Sequence, residues 1–368
     1  MGINDIIIYL ITLFMAIGVI DKIIGNKLGL GDKFEEGIMS MGTLAMSMVG
    51  IISLAPVLAE LLYPVIGPMY GFFGADPAMF GGTLLAPDMG GFTLADQFTN
   101  DPKIVNFSGI ILAAMMGGTI SFTIPVGLGI LRKEDFSFFA QGILAGFITI
   151  PLGCFVSGLM LGMDPLSVAK NLAPPIIISI LIALGLRFIQ KQMITGFIYF
   201  GKFISAMNLV GFGAIIVETL TGIVVIPGLA PISESIAIVG SIGIVLAGTY
   251  PLLHVVTKVF RNPLMKAGSL LGIGEVSVAG LIANLANNLP MLATLKDMDD
   301  RGKIINIAFT VSAGFLLGDH LGFAAAVAKD SITSMIVGKL VAGFTAIAVA
   351  CLMTRNLKLE TNKVKEDI

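Results

Sequence analysis

Two carboxylates and a histidine lie in stretches otherwise built for hydrocarbon, and ionisable side chains at that depth are candidates for function. Asp88 sits in Leu85-Ala-Pro-Asp-Met-Gly-Gly91, where Pro87, Gly90 and Gly91 should break a helix and free carbonyls beside the carboxylate. Asp319 and His320 stand in Gly318-Asp-His-Leu-Gly322, read here as the middle of an apolar helix. Asn287 and Asn288 bring amides without charge, and Thr119 and Ser121 bring hydroxyls from Gly117-Gly-Thr-Ile-Ser121. No Lys or Arg is near either Asp in sequence. A carboxylate in low dielectric stays charged only beside a cation and otherwise takes up a proton. Such a site therefore suits a cationic solute, a metal ion or a proton.

Each of these residues also has a plainer role open to it. Asp88 could cap a half-helix, and Asp319–His320 could be a structural pair to a neighbouring span. Lys339, also mid-span, could pair with Asp319 or Asp330, or snorkel to the interface. His254, beside Pro251, reads as structural, as do the mid-helix thiols of Cys154 and Cys351. Glu36 and Glu234 are expected at span starts, where carboxylates favour helix N-termini.

Hydrophobic residues make up 56% of the 368-residue chain and charged residues only 12%, against roughly a quarter charged in soluble domains. Several apolar stretches are long enough to cross about 30 Å of hydrocarbon, and each must be helical because lipid offers the backbone no partners. The expected class is an all-α polytopic membrane protein. Asp5 stands where a basic n-region would be, which argues against a cleaved signal peptide. The net charge of −2 gives no reason to expect a nucleic-acid partner.

Residues 34–160 recur, loosely, at 232–354. Glu36, Gly42, Gly50, Gly74 and Gly82 meet Glu234, Gly240, Gly248, Gly272 and Gly280 at an offset of 198. Lys103, Ile104 and Asn106 meet Lys303, Ile304 and Asn306 at 200, and Ala145-Gly-Phe147 meets Ala342-Gly-Phe344 at 197. Internal repeats in a membrane protein are the usual build of a transporter. The Pro- and Gly-rich stretches 61–95 and 261–295 read as hairpins that enter and leave on one side. Under the positive-inside rule that reading puts 17 Lys and Arg inside and 3 outside, against 12 and 8 if each stretch crosses once, leaving aside Lys202 and Lys339 within spans. It sets the N-terminus outside and the basic tail inside, and makes the repeats inverted. The organisation read from this is a first membrane repeat (1–165), a connecting transmembrane helix (166–196), a second repeat (197–354) and a cytoplasmic tail (355–368).

Several strings along nearly the whole chain resemble the EutH family, the ethanolamine permeases of bacterial ethanolamine utilisation. They are Phe34-Glu-Glu-Gly37, Leu54-Ala-Pro-Val-Leu-Ala59, Asp88-Met-Gly-Gly-Phe92, Ala283-Asn-Leu-Ala-Asn-Asn288, Asp299-Asp-Arg-Gly-Lys-Ile-Ile-Asn306 and Gly318-Asp-His-Leu-Gly-Phe-Ala-Ala325. Pro87 departs from the small non-proline residue expected there, which bears on the hairpin's shape and not on the carboxylate. The resemblance implies uptake of ethanolamine across the cytoplasmic membrane. Ethanolamine is mostly an ammonium ion at neutral pH, like a lysine amine, and carries one hydroxyl. Asp88 and Asp319 are the expected ammonium contacts, with His320 beside them. Asn287, Asn288, Thr119 and Ser121 are second choices for the hydroxyl, and Phe92 and Phe323 could add cation–π contacts.

Other readings stay open: a sodium- or proton-coupled carrier of another small amine or polar solute, or an intramembrane enzyme holding Mg²⁺ at Asp297-Met-Asp299-Asp300. The enzyme reading lacks a second acidic cluster, and a solvated loop explains the run better. No resident cofactor is expected, and no nucleotide-binding motif offers direct ATP drive. Assembly with further copies of the chain is left undecided.

Overall fold

In the computed structural model, which describes residues 2–355 (the side chains of Leu264, Ala267 and Ser269 apart), every regular element is a helix. All but Arg355 of the tail 355–368 therefore lies outside the described residues. The chain is an all-α protein, and eight of its helical stretches are long and apolar enough to cross a membrane.

Helices α1 (Ile3–Ile23) and α2 (Leu30–Gly71) come first, followed by the short pair α3 (Met79–Leu84) and α4 (Gly91–Phe98), joined by a 3-10 turn, Pro87–Met89. The stretch 102–130 follows as α5 (Pro102–Asn106), two π-helical segments and α6 (Ile124–Ile130), then α7 (Phe136–Met160). After α8 (Pro165–Phe188) the same order returns. It consists of α9 (Gln190–Thr221), α10 (Ile232–Leu270), the short pair α11 (Glu275–Ala286) and α12 (Asn288–Thr294), then α13 (Asp300–Ala313), α14 (Asp319–Val327) and α15 (Ile332–Met353). Matching details recur too. Gly74 and Gly272 turn the chain with φ of +65° and +66°, a conformation glycine adopts without a Cβ penalty. Asp101 and Asp299 cap α5 and α13 through their carboxylates. Corresponding helices also meet, α2 packing on α10 and α7 on α15.

Three sequence expectations need correcting. The hairpins are shorter than 61–95 and 261–295, because α2 stays helical through Pro56, Pro64 and Pro68 to Gly71, and α10 through Pro251 and Pro263 to Leu270. Proline removes one hydrogen bond but leaves the other turns intact, so a long apolar helix absorbs it. Conversely, the apolar run 304–328, long enough in sequence to read as one membrane span, is interrupted: α13 ends at Ala313, and five turn residues precede α14. Asp319 is accordingly the first residue of a helix rather than the middle of one. A helix of six to twelve residues rises about 9–18 Å, too little to cross the bilayer.

The stretch 102–130 is the axis of the fold. Of its most apolar window 83% is buried, against 11% for α1. Its glycines let the first hairpin approach: a Cβ on Gly117 would lie 2.0 Å from the Leu85 carbonyl oxygen, and one on Gly318 would lie 2.0 Å from that of Ala286. Both broken elements are seated this way, backbone against glycine. Gly117→Ala or Gly318→Ala should therefore cost about 1–3 kcal/mol of stability, read as a lower melting temperature in detergent. Gly42→Ala, with nothing within 4 Å of its Cβ position, should cause no loss.

Candidate functional site

The 3-10 turn that carries Asp88 begins at Pro87, which follows an extended Ala86. Its neighbour Ser121, on a π-helical segment of the axial stretch, accepts the Ala86 amide proton at 3.0 Å and donates to the Gly117 carbonyl at 2.8 Å. A π turn shifts the hydrogen-bond ladder by one residue, and that shift aims Ser121 at the turn. Asp88 caps no helix, since α4 begins behind Gly90 without a side-chain cap.

The break before α14 is closed by backbone. Phe315 and Leu317 donate their amides to the carbonyls of Asn284 and Leu285, at 2.9 and 2.8 Å. Phe315 is left-handed, φ +58°, which costs an L-residue about 1–2 kcal/mol. Its ring packs 5.2 Å from His320 and 5.7 Å from Phe122, centroid to centroid. Strain of this kind persists where the surroundings over-determine it, often at functional sites.

These two interrupted elements meet. Ala86, Asp88, Met89, Gly118, Phe122, Phe315, Asp319 and His320 line one cavity of ≈ 40 Å³, room for about three water-sized groups. The three ionisable residues picked from the sequence as the core of a site are thus brought together from opposite halves of the chain. Neither carboxylate joins a salt bridge among the described residues, and no Lys or Arg lines the cavity. Tyr250 of α10 donates its hydroxyl to Asp319 Oδ1 at 3.2 Å.

Other selected residues lie elsewhere. Thr119 donates to the carbonyls of Met115 and Val311, which ties the axial stretch to α13. Asn288 donates to Thr123 Oγ1 at 2.9 Å. Asn287 caps α12 by accepting the Leu289 amide proton. Phe92 and Phe323 pack edge to face at 5.7 Å, and neither lines the cavity. The acidic run is also in structural use: Asp299 accepts protons from Gly302, Gly274 and Ser277.

Lys339 pairs with neither Asp319 nor Asp330 and does not snorkel. It is fully buried, and its Nζ lies 2.6 Å from the Ala114 carbonyl oxygen and 2.9 Å from His320 Nδ1. Sequence reasoning missed this contact, because residues 320 and 339 meet only through tertiary packing. Tyr250 was missed as well; a tyrosine beside Pro251 in mid-span was its only signal.

Two larger, open cavities flank the small one. The first, of ≈ 390 Å³, is lined by Lys33, Glu36, Tyr250, His254, Thr257 and Asn287, among others. The second, of ≈ 480 Å³, is lined by Phe92, Asp96, Asn100, Asn106, Val327 and Lys329, among others. Helix α1 shows how they are placed. Near its start Asp5 holds Lys329 at 2.6 Å, and near its end Lys22 holds Asp32 and Glu35 at 3.1 and 2.5 Å. Since 21 residues of helix rise about 31 Å, the cavities open at opposite ends of a membrane-length rod.

These features define a polytopic helical membrane protein with a small acidic chamber between two opposed vestibules. The chain belongs to the family described as "Ethanolamine utilisation protein, EutH", whose model matches residues 3–353. It is 57% identical over 366 residues to a "Probable ethanolamine permease EutH" of Listeria monocytogenes, covering 100% of this chain and 98% of the relative. It is 46% identical to a protein of the same description from Salmonella typhimurium, with 96% of each covered. An uncharacterised protein of Bacillus subtilis is 47% identical, again with 96% of each covered. No solved structure shows a significant match.

Cysteines placed at Thr257 and Asn100, with Cys351→Ser to silence the part-exposed native thiol, should react with a membrane-impermeant thiol reagent from opposite faces. Labelling of both in intact cells would place the vestibules on one side.

Proposed function

We propose that this protein is an ethanolamine permease of the cytoplasmic membrane that takes up the ammonium form by alternating access. The observation that carries the reading is the convergence of Asp88 and Asp319 on one small chamber lined by no Lys or Arg. A cation entering it exchanges its hydration for two carboxylates. The chamber's size suits only a small solute, and the relatives described as probable ethanolamine permeases name ethanolamine.

Access would be controlled at two thin barriers. On one side stands Tyr250, which lines a vestibule and holds Asp319. On the other, Asp319, Phe323 and Val327 lie at i, i+4 and i+8 along one face of α14, leading from chamber to second vestibule. There Phe323 packs on Phe92, itself a vestibule residue. The aromatic pair is thus assigned to a gate rather than to the ammonium. Rocking of the halves 1–165 and 197–354, as inverted repeats joined by 166–196, would open one barrier while closing the other. The N-terminus and the Asn100 vestibule are placed outside, and the Thr257 vestibule and the tail inside.

Proteoliposomes containing the protein should show saturable uptake of labelled ethanolamine. Asp88→Asn or Asp319→Asn should each lower it by about 30-fold or more, the loss of about 2 kcal/mol or more expected when one partner of a buried ionic contact is removed. Undiminished uptake by the double variant, with the protein present in the membrane, would overturn the reading.

A further inference from the structure

The buried Lys339 has no part in holding an ammonium ion, and a second positive charge behind the chamber opposes that task. Among the described residues it has no carboxylate within salt-bridge distance. Its partners are a backbone carbonyl and an imidazole. An ammonium group this deep, with only neutral partners, is costly. Its hydrogen bonds nevertheless permit two proton states. With Lys339 charged, Nζ donates to Ala114 O and to His320 Nδ1, so that His320 carries its proton on Nε2. With Lys339 neutral, Nζ still donates to Ala114 O and accepts from a His320 protonated on Nδ1. Both states keep Nζ, Nδ1 and the Ala114 carbonyl satisfied, and the Gly314 backbone is a further hydrogen-bond partner of the imidazole. What changes is Nε2, a donor in the first state and an acceptor in the second.

That change faces the chamber. His320 lines it, and a Cβ on Gly118, also a lining residue, would lie 3.4 Å from His320 Cε1 and 3.5 Å from Nε2. An ammonium ion between Asp88 and Asp319 is all donor, so it matches the state in which Nε2 accepts. It is also repelled by a charged Lys339. Both effects favour the same outcome.

Resting on the permease reading, we propose that Lys339 and His320 form a proton-binding site coupled to the chamber, and that binding of an ammonium solute releases one proton. The step balances in charge. A cation enters, Lys339 gives up one N–H proton through its bond to His320 Nδ1, and the imidazole passes its Nε2 proton to water. When the solute leaves, a proton returns. The empty carrier then reorients with a positive charge beside its two carboxylates, so the cycle exchanges an ammonium ion for a proton.

Two carboxylates, Asp319 and Asp88, share the surroundings of this pair and also take up protons when no cation lies between them. Helix α15 packs on α7, α13, α14 and the axial stretch. From α7 comes the buried Cys154 thiol; from α14 come His320 and Asp319, with Asp88 across the chamber and Tyr250 of α10 on Asp319. Between Asn106 and Ile130 the axial stretch has no ionisable side chain. On α13, Asp300, Arg301 and Lys303 lie at the distant end, where Lys303 is held by Asp135 at 2.8 Å. The ion pair Lys329–Asp5 and Asp330 lie at the start of α15, about two and a half turns away.

Calorimetric titration of the purified protein with ethanolamine between pH 6 and 8, in buffers of different ionisation enthalpy, tests the coupling. Wild type should release up to one proton per solute bound. Its affinity should fall by up to about tenfold per unit of pH decrease while the pair is protonated. Lys339→Met should release less proton per solute bound than wild type, with a correspondingly flatter pH profile, its fold checked by gel filtration and thermal melting. Binding to wild type without proton release overturns the inference and leaves the permease reading intact. Release undiminished in Lys339→Met also overturns it, by placing the proton on the carboxylates, on another group or on the amine. No binding in any buffer sinks the ethanolamine reading itself.

Discussion

In hydrocarbon a broken helix exposes backbone groups that no water can reach, and much of this structure answers that constraint. Two elements are broken at depth, and each break is closed by protein. Ser121 takes the Ala86 amide, and the Asn284 and Leu285 carbonyls take those of Phe315 and Leu317. Such closures require backbone to approach backbone, so the contacts fall at Gly117 and Gly318, where a Cβ would overlap a carbonyl oxygen. The closed breaks then hold Asp88 on a 3-10 turn and Asp319 at the first residue of α14, neither within a continuous helix. A carboxylate on a turn can face a chamber, whereas one on an intact mid-membrane helix would need a partner on its neighbour.

The same constraint shapes the π-helical course of 107–123. Within it Ser121 reaches the Ala86 amide, and the Ala114 carbonyl oxygen accepts from Lys339. One irregular stretch thus supports the Asp88 turn on one face and a buried ammonium on another. The proposed coupling between a proton on Lys339 and a cation between the carboxylates rests on this shared stretch.

The features legible in the sequence were those that a local pattern encodes. Pro87 and Gly90 announced a break beside Asp88, and the shared offset of Gly74 and Gly272 announced an element order that the structure repeats. Hairpin limits were read too widely, because proline marks a weak point in a helix without saying whether neighbouring turns survive. The break at 314–318 escaped notice for the opposite reason: it has no proline, and its left-handed residue is Phe315, a side chain that on local grounds avoids that conformation. Tertiary contacts of the ring and of the Asn284 carbonyl hold it there.

By itself the sequence determined the class of protein, the all-helical build demanded by long apolar stretches, and the few ionisable residues worth weighing. It also carried the family, in strings such as Gly318-Asp-His-Leu-Gly-Phe323. Tertiary structure decided which of those residues share a chamber. Asp88 and Asp319 are 231 positions apart and line one cavity, while Asn287, Asn288 and Thr119 are spent on caps and ties between helices. It also decided that Lys339 partners His320 rather than a carboxylate. The physical reason is that helix periodicity and breaking residues act over a few positions, whereas a buried polar atom takes whichever partner the packing of distant helices brings within 3 Å.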